Sequence, residues 1–154
     1  MSPGDLVVTN GGVNGNKSVV LLDSNGNFKA TLIDLLPAES PMGLAWKDDT
    51  REVLITVDST ADRVLGVSAY NGSVDDFIND IGNLTGTLYG IAVLADGTVK
   101  ISETSNVENY SSGGVRIVAG AWPKALMTTG SNLNPHSSGG FVYCSSGTDQ
   151  VRIY

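Results

Sequence analysis

Residues 88–103 read LYGIAVLADGTVKISE, two short β-rich runs on either side of an Asp96-Gly97 turn. Val and Ile favour strands, and the Asp-Gly pair is typical of a tight reversal between two of them. The same pattern of strand, turn signal and polar loop recurs at residues 5–10, 52–58 and 140–144. The copies are about 45 residues apart, a spacing that indicates a repeat architecture.

Glycine-bearing turns predict where the strands reverse. Asn25-Gly26, Asn71-Gly72 and Asp96-Gly97 are expected to form type I′ hairpin turns, in which both central residues have positive φ. The strand that follows each polar loop is predicted at residues 17–22, 62–67, 114–118 and 150–154. No segment has a 3.6-residue apolar period over three turns, and Val74–Ile81 fits an outer strand as well as one helical turn. The chain is therefore predicted to be all-β.

The composition and charge exclude several protein classes. The chain has 154 residues, of which 41% are hydrophobic and 16% charged, a profile too apolar for intrinsic disorder. A single cysteine excludes an internal disulfide framework, and no apolar run reaches the roughly 18 residues of a membrane-spanning helix. A net charge of −7 without a basic stripe opposes nucleic-acid binding, because scattered carboxylates repel a phosphate backbone.

Residues 88–103 resemble the NHL-type repeat, which reads approximately PxGIAVxxDGxVYVxD followed by NxRVxV. Residues 41–58 together with 62–67 form a second, looser copy. The resemblance implies a β-propeller built from four-stranded blades, an arrangement that gluconolactonase-like proteins share. In such a fold Gly43 and Gly90 are expected to let the inner strands of neighbouring blades pack closely around the axis.

The repeat predicts that residues 1–154 form a single propeller segment of four blades. With strands lettered A to D from the innermost outward, the blades cover 5–36 (BCD), 41–81 (ABCD), 88–129 (ABCD) and 132–154 (ABC). Two blades are then complete and two incomplete, and known propellers close with four or more blades. Three explanations stay open: a piece of a longer propeller, which we favour, a ring completed by self-association, or a β-sandwich.

Two carboxylates and one amide occupy equivalent positions in successive repeats, namely Asn10, Asp58 and Glu103. A propeller would bring them to one face near its axial opening, so we take them as candidate binding residues. The gluconolactonase resemblance implies a divalent cation held there by Glu, Asn and Asp, and Ca²⁺ accepts such oxygen ligands. The alternative, which we favour, is that these side chains cap the following loops, so no resident cofactor or metal is expected.

The other chemistry-bearing residues carry no catalytic motif. His136 is the only histidine, and a lone histidine supports neither a zinc cluster nor a catalytic triad. Cys144 is interpreted as a small buried residue of a strand. Asp48-Asp49 and Asp75-Asp76 are interpreted as solvated surface charge, because neither pair has the spacing of a calcium-binding loop.

The expected function is a non-enzymatic binding or scaffold module whose ligand is a protein or a carbohydrate. Trp46 and Trp122 are expected to pack between blades, although exposed aromatic side chains would also offer a surface for sugars or proteins. The alternative is a metal-dependent lactonase-like hydrolase centred on Asp58 and Glu103. The low charge and the abundance of Ser, Thr and Asn favour an extracytoplasmic or secreted bacterial protein, although residues 1–4 begin no signal peptide.

Overall fold

The computed structural model describes residues 1–11, 17–78, 84, 86–104, 106–117, 133–137, 139–145 and 150–153, with backbone only for 143–145, 150 and 152. This part of the chain contains no helix, which confirms the all-β prediction, and so it offers no helix of the length and apolarity that a bilayer crossing needs. Its strands are β1 Leu6–Asn10, β2 Ser18–Leu22, β3 Phe28–Asp34, β4 Ser40–Lys47, β5 Glu52–Asp58, β6 Arg63–Ser68, β7 Val74–Ile78, β8 Leu88–Val93, β9 Val99–Glu103, β10 Val107–Tyr110, β11 Leu133–Pro135, β12 Phe141–Ser145 and β13 Gln150–Ile153.

The strands form four antiparallel sheets, each made of strands that follow one another along the chain. Sheet 1 contains β1–β3, sheet 2 contains β4–β7, sheet 3 contains β8–β10 and sheet 4 contains β11–β13. Strand β4 contacts β8, and β8 contacts β11, so the first strands of sheets 2, 3 and 4 lie side by side. Simple hairpin connections explain the topology, because antiparallel neighbours need only short loops.

Strand β5 shows why the sheets stack face to face. Val53, Ile55 and Val57 belong to a buried cluster shared with sheet 1, whereas Leu54 belongs to one shared with sheet 3. Alternate residues of a strand point to opposite faces, so an unbroken apolar run serves two neighbouring sheets at once. Each fully buried side chain of this kind contributes about 1.5–3 kcal/mol to stability. A third cluster joins sheet 3 to sheet 4 through Val107 and Phe141, among others.

The close approach of sheets 2 and 3 requires glycine at position 43. A Cβ added to Gly43 would lie 2.7 Å from the backbone oxygen of Tyr89 in β8. Thr56 Oγ1 accepts a hydrogen bond from the Gly43 amide at 2.7 Å and donates to the Tyr89 oxygen at 3.2 Å. Sheet 3 repeats the first of these bonds, because the Gly90 amide donates to Ser102 Oγ at 2.7 Å. The predicted packing role of Gly43 is confirmed.

The three predicted Gly-bearing turns do connect adjacent strands, but the predicted type I′ geometry is wrong. Gly26, Gly72 and Gly97 have positive φ, but the residue before each of them does not, because Arg51 is the one non-glycine residue with positive φ in the described part of the chain. Type I′ turns need two successive residues with positive φ. In the β8–β9 turn the Gly97 amide donates to the Leu94 oxygen and the Leu94 amide to the Thr98 oxygen. This pattern is a type I turn followed by a glycine bulge.

The predicted strand at residues 114–118 is also misplaced. The strand beside β9 is β10, Val107–Tyr110, and Arg116 forms one isolated bridge to Tyr110 on the outer side. Residues 106–111 are mostly polar, so the sequence pattern did not indicate a buried strand there. The strand forms because its buried polar side chains have partners: Lys100 donates to Asn109, and Arg116 pairs with Glu108 at 2.8 Å. Residues 118–132, where the rest of the predicted 88–129 blade falls, lie outside the described residues.

Because neighbouring strands are antiparallel, the connections between them lie at two opposite ends of the sheets, which we call the turn end and the loop end. The turn end carries the hairpin turns β4–β5, β8–β9 and β11–β12 together with the turns β2–β3 and β6–β7. The loop end carries the connections that follow β1, β5 and β9. Strand β7, Val74–Ile78, is extended, which resolves the helix-or-strand alternative for its part of residues 74–81.

Candidate functional site

The loop end carries the three candidate residues expected from the sequence. Asn10 ends β1, Asp58 ends β5 and Glu103 ends β9, in sheets 1, 2 and 3 respectively. Their equivalence along the repeat therefore corresponds to equivalent strand positions. Whether they contact a ligand stays a prediction.

Asp58 contributes to the contact between two sheets. Its Oδ1 accepts a hydrogen bond from the backbone amide of Leu88, the first residue of β8, at 3.0 Å. Asp62, in the loop after β5, likewise accepts the Ser59 amide at 2.8 Å. Asp58 therefore satisfies a backbone donor of the next sheet, whereas Asp62 accepts the bond within the loop that Asp58 was expected to cap.

Asp58 also affects the ionisation of its neighbour. Burial raises the pKa of Asp62 above its ordinary value, the Ser59 amide opposes the rise, and the nearby Asp58 charge adds to it. The main cause is therefore the partial loss of water around the Asp62 carboxylate, and the Asp58 charge contributes less.

Glu103 and Asn10 differ sharply in exposure. Glu103 is 2% exposed and stands opposite Leu88 in the β8–β9 ladder. A Cβ on Gly86 would lie 3.4 Å from Glu103 Oε2, so the chain entering β8 packs against this carboxylate. Asn10 is exposed and stands opposite Ser18 in β2. The three side chains therefore sit in different environments, from solvent to core.

In the part of the chain that the structure describes, Asp58 and Glu103 are not joined by a third acidic, histidine or cysteine side chain that could complete a site for the cation that the family resemblance implies. Within the described ranges, no three or more His, Cys, Asp or Glu side chains are grouped so that they could hold one metal ion. One oxygen of Asp58 is already directed at an amide, and Ca²⁺ takes six to eight oxygen ligands. We therefore derive no metal-dependent step from this end of the molecule.

The turn end contains two adjoining pockets that share Trp46 and Asp48, which we call together the groove. The first, about 410 Å³, lies between sheets 1 and 2 and is also lined by Arg51 and Tyr70. The second, about 630 Å³, lies where sheets 2, 3 and 4 meet, with His136 in its lining. Trp46 is 47% exposed, so it is not the buried packing residue that the sequence suggested.

Arg51 occupies an unusual backbone position in the groove. Its φ is +52°, at the place in the β4–β5 turn that Gly97 occupies, at φ +82°, in the β8–β9 turn. Its guanidinium carbon lies 5.5 Å from the centre of the Tyr70 ring, within the range of a cation–π contact. The left-handed conformation costs a non-glycine residue about 1–2 kcal/mol. Despite this cost, the conformation places the Arg51 guanidinium over the exposed ring of Tyr70.

The carboxylates of the groove have hydrogen-bond donors of their own. Asp48 Oδ1 accepts a hydrogen bond from Trp46 Nε1 at 3.2 Å, which orients the indole. The hydrogen bond from Lys47 at 2.6 Å is the main reason that the pKa of Asp49 is lowered. Hydrogen bonds from the Thr98 hydroxyl and amide hold the pKa of Asp96 below its ordinary value. The larger pocket is therefore lined by three carboxylates, each of which accepts a hydrogen bond from a donor beside it.

Of the other residues singled out in the sequence, His136, Asp48 and Asp49 lie at the turn end. His136 is half-buried in the β11–β12 turn, where its amide donates to the Gly140 oxygen at 2.9 Å, and it lines the larger pocket. Asp48 and Asp49 are exposed, as expected. Trp122 and the side chain of Cys144 lie outside the described residues.

Sequence reasoning missed Arg51 and Tyr70 as site residues. Tyr70 is 74% exposed in the β6–β7 turn, and exposure of one aromatic ring is not visible in a repeat pattern. Arg51 did leave a signal, because it stands where the equivalent turn of the next repeat has glycine. A residue that departs from the repeat at a left-handed position indicates strain, and strain concentrates at functional sites.

Comparison with known proteins identifies the fold. No protein-family model and no curated protein matches the chain, whereas many solved structures do. A chain of a nidogen/laminin complex matches with a TM-score of 0.71 and 18% identity over 97% of this chain and 55% of that one. A gluconolactonase from Xanthomonas campestris matches with a TM-score of 0.69 and 19% identity over 86% of this chain and 43% of that one.

A third match is regucalcin, a calcium-binding protein from Agrobacterium tumefaciens, with a TM-score of 0.69 and 16% identity over 92% of this chain and 49% of that one. At such identities the matches show the fold alone. They confirm the resemblance to gluconolactonase-like propellers, and the four sheets are propeller-type blades. The chain spans about half the length of these structures.

Proposed function

We propose that this chain is a non-enzymatic binding module that uses the groove at the turn end of its blades. The observation that carries the proposal is Trp46, a half-exposed indole standing between two pockets and oriented by Asp48. Large aromatic side chains dominate the binding energy of many interfaces when they are held rigid beside a pocket. The pocket volumes are in the range usual for small-ligand sites, about 300–1,000 Å³.

The chemistry of the groove supports binding rather than turnover. A general acid or base works best with a pKa near the operating pH, and the pKa values of Asp49 and Asp96 are shifted the other way, below their ordinary value. Asp48 is hydrogen-bonded to the indole beside it. These carboxylates act as fixed hydrogen-bond acceptors, which suits recognition.

The second candidate is a lactonase-like hydrolase at the loop end, with Asn10, Asp58 and Glu103 as cation ligands. One observation favours it: the three residues end equivalent strands in adjoining sheets. Thermal unfolding with calcium chloride and with chelator tests it. A calcium-induced rise in Tm that Asp58→Ala abolishes would put the hydrolase first, whereas no shift would remove it.

The ligand-binding proposal is tested by a fragment screen followed by NMR. Binding sites attract small fragments of several chemical types, because concave apolar surface and convergent polar groups are favourable for all of them. A library of neutral polyols, aromatic amines and carboxylic acids is added to uniformly ¹⁵N-labelled protein. We expect the shifted amides to cluster at Arg51, Tyr70 and the Trp46 indole.

Two outcomes would contradict the proposal. One is a cluster of shifted amides at Asp58 and Glu103, which would place the binding surface at the loop end. The other is no cluster anywhere. Self-association, expected as one way to complete a ring, stays a separate prediction, and a solution mass of 16.0 kDa by light scattering would contradict it.

A further inference from the structure

The groove runs along a line of side chains rather than ending at one pocket. Both pockets are lined by Trp46 and Asp48, the smaller continuing to Arg51 and Tyr70 and the larger to His136. A ligand lying across the indole would therefore reach both pockets. Such a ligand is elongated, with a flat or cyclic unit at its centre.

Both hydrogen-bond donors and acceptors surround the indole. Arg51 brings a guanidinium, which only donates, and the carboxylates of Asp48 and Asp96 only accept when ionised. A ligand that satisfies both kinds of group at short spacing must itself donate and accept. Hydroxyl groups do so, and a pyranose ring carries several of them around an apolar face that packs on an aromatic ring.

The charges oppose ionic ligands of either sign. Asp48, Asp49 and Asp96 line the larger pocket, and the whole chain has a net charge of −7, so polyanions are repelled. A cationic ligand that spans both pockets would find Asp49 already paired with Lys47 at 2.6 Å and would meet the Arg51 guanidinium in the smaller pocket. A neutral ligand avoids both penalties.

Resting on the proposed function, we infer that the groove binds a neutral oligosaccharide, with one sugar ring stacked on Trp46 and its neighbours extending into the two pockets. Arg51 and Tyr70 then form the wall of the smaller pocket. This role explains why the β4–β5 turn keeps arginine at φ +52°, where the next blade has glycine, because glycine would leave that wall without its guanidinium.

The test is titration of the 154-residue chain with cellohexaose, maltohexaose, mannohexaose and chitohexaose, followed by calorimetry. We expect at least one to bind, and Trp46→Ala to weaken that binding about tenfold, since an aromatic contact is worth about 1.5 kcal/mol. Trp46→Phe, which keeps a ring in a strand position, should retain part of the affinity. Phe28→Ala is the matched control, because Phe28 is 65% exposed and lines neither pocket.

Three results would overturn the inference. No binding by any of the four hexasaccharides would do so, as would equal losses from Trp46→Ala and Phe28→Ala. Tighter binding of a lysine-rich peptide through Trp46 would show that the ligand class is wrong. If fragments bind in the groove but no hexasaccharide binds, only the proposed ligand class is wrong. If no fragment binds in the groove, the proposed function is wrong as well.

Discussion

The carboxylate of Asp58 accepts a hydrogen bond from the amide of Leu88 at 3.0 Å, thirty residues further along the chain. This bond crosses from the last residue of β5 to the first residue of β8 and so joins sheet 2 to sheet 3. A residue that looked like a metal ligand in the sequence thus satisfies the first backbone donor of the next blade.

Replacing Asp58 should weaken the contact between these blades. Asp58→Ala leaves the Leu88 amide without its acceptor, and we expect the free energy of unfolding to fall by about 1–2 kcal/mol. Asp58→Asn keeps an acceptor oxygen and should lose less. Urea denaturation measures both. Asp75→Ala is the control, because this exposed carboxylate of β7 should change stability by less than about 0.5 kcal/mol.

A methyl group at position 43 should separate the inner strands. In Gly43→Ala the new Cβ would lie 2.7 Å from the Tyr89 backbone oxygen, and backbone must move, so we expect a loss of about 1–3 kcal/mol. Gly66→Ala is the matched control in β6, where the nearest atoms are side-chain atoms 3.7 Å away. Equal unfolding free energies for the two variants would contradict the close approach.

The left-handed conformation of Arg51 should be detectable as stored strain. Arg51→Gly removes the steric cost of φ +52°, and we expect stability to rise by about 1 kcal/mol while oligosaccharide affinity falls. Gly97→Ala, at φ +82°, should have the opposite effect on stability. Thermal and urea unfolding give the comparison. A destabilised Arg51→Gly variant would mean that the Tyr70 contact outweighs the strain.

Asp62 should make stability depend on pH in a defined direction. Its pKa is raised by burial in the folded chain, so between the unfolded pKa of about 3.9 and the higher folded pKa the folded state binds more protons. Stability therefore falls as pH rises through that window. Asp62→Asn keeps an acceptor for Ser59 but does not ionise, and we expect it to be more stable than the parent at pH 7.

The same comparison at low pH supplies the control. Below about pH 3.9 the Asp62 carboxyl is neutral in both states, so the advantage of Asp62→Asn should shrink there. Urea unfolding at pH 3, 5 and 7 measures the trend. An advantage that does not change with pH would contradict the raised pKa.

The repeat predicted the strands well because each blade solves the same packing problem. Leu54 and Ile55 face different neighbouring sheets, and this requirement explains the apolar run of the central strand β5. The prediction failed at β10 because Glu108 and Asn109 are buried polar residues whose partners, Arg116 and Lys100, lie eight residues later and nine residues earlier in the chain. Local pattern cannot reveal compensation across strands.

The site was harder to predict than the fold. The loop-end residues stood out because they are carboxylates at equivalent positions, yet Asp58 has a structural partner. The groove depends on the exposure of Trp46 and Tyr70, and exposure follows from how three sheets meet at their turns. The one local signal was Arg51 at a glycine position of the repeat.

The central claim, that ligand is bound at the turn end, is tested most directly by the indole ¹H–¹⁵N signal of Trp46. The chain has two tryptophans, and Trp46→Phe assigns the signal. The protein is titrated with the four neutral hexasaccharides and, separately, with calcium chloride. We predict a saturable shift of the Trp46 signal with a hexasaccharide. A Trp46 signal that stays fixed with every sugar, while calcium shifts the amides of Asp58 and Glu103, would contradict the account.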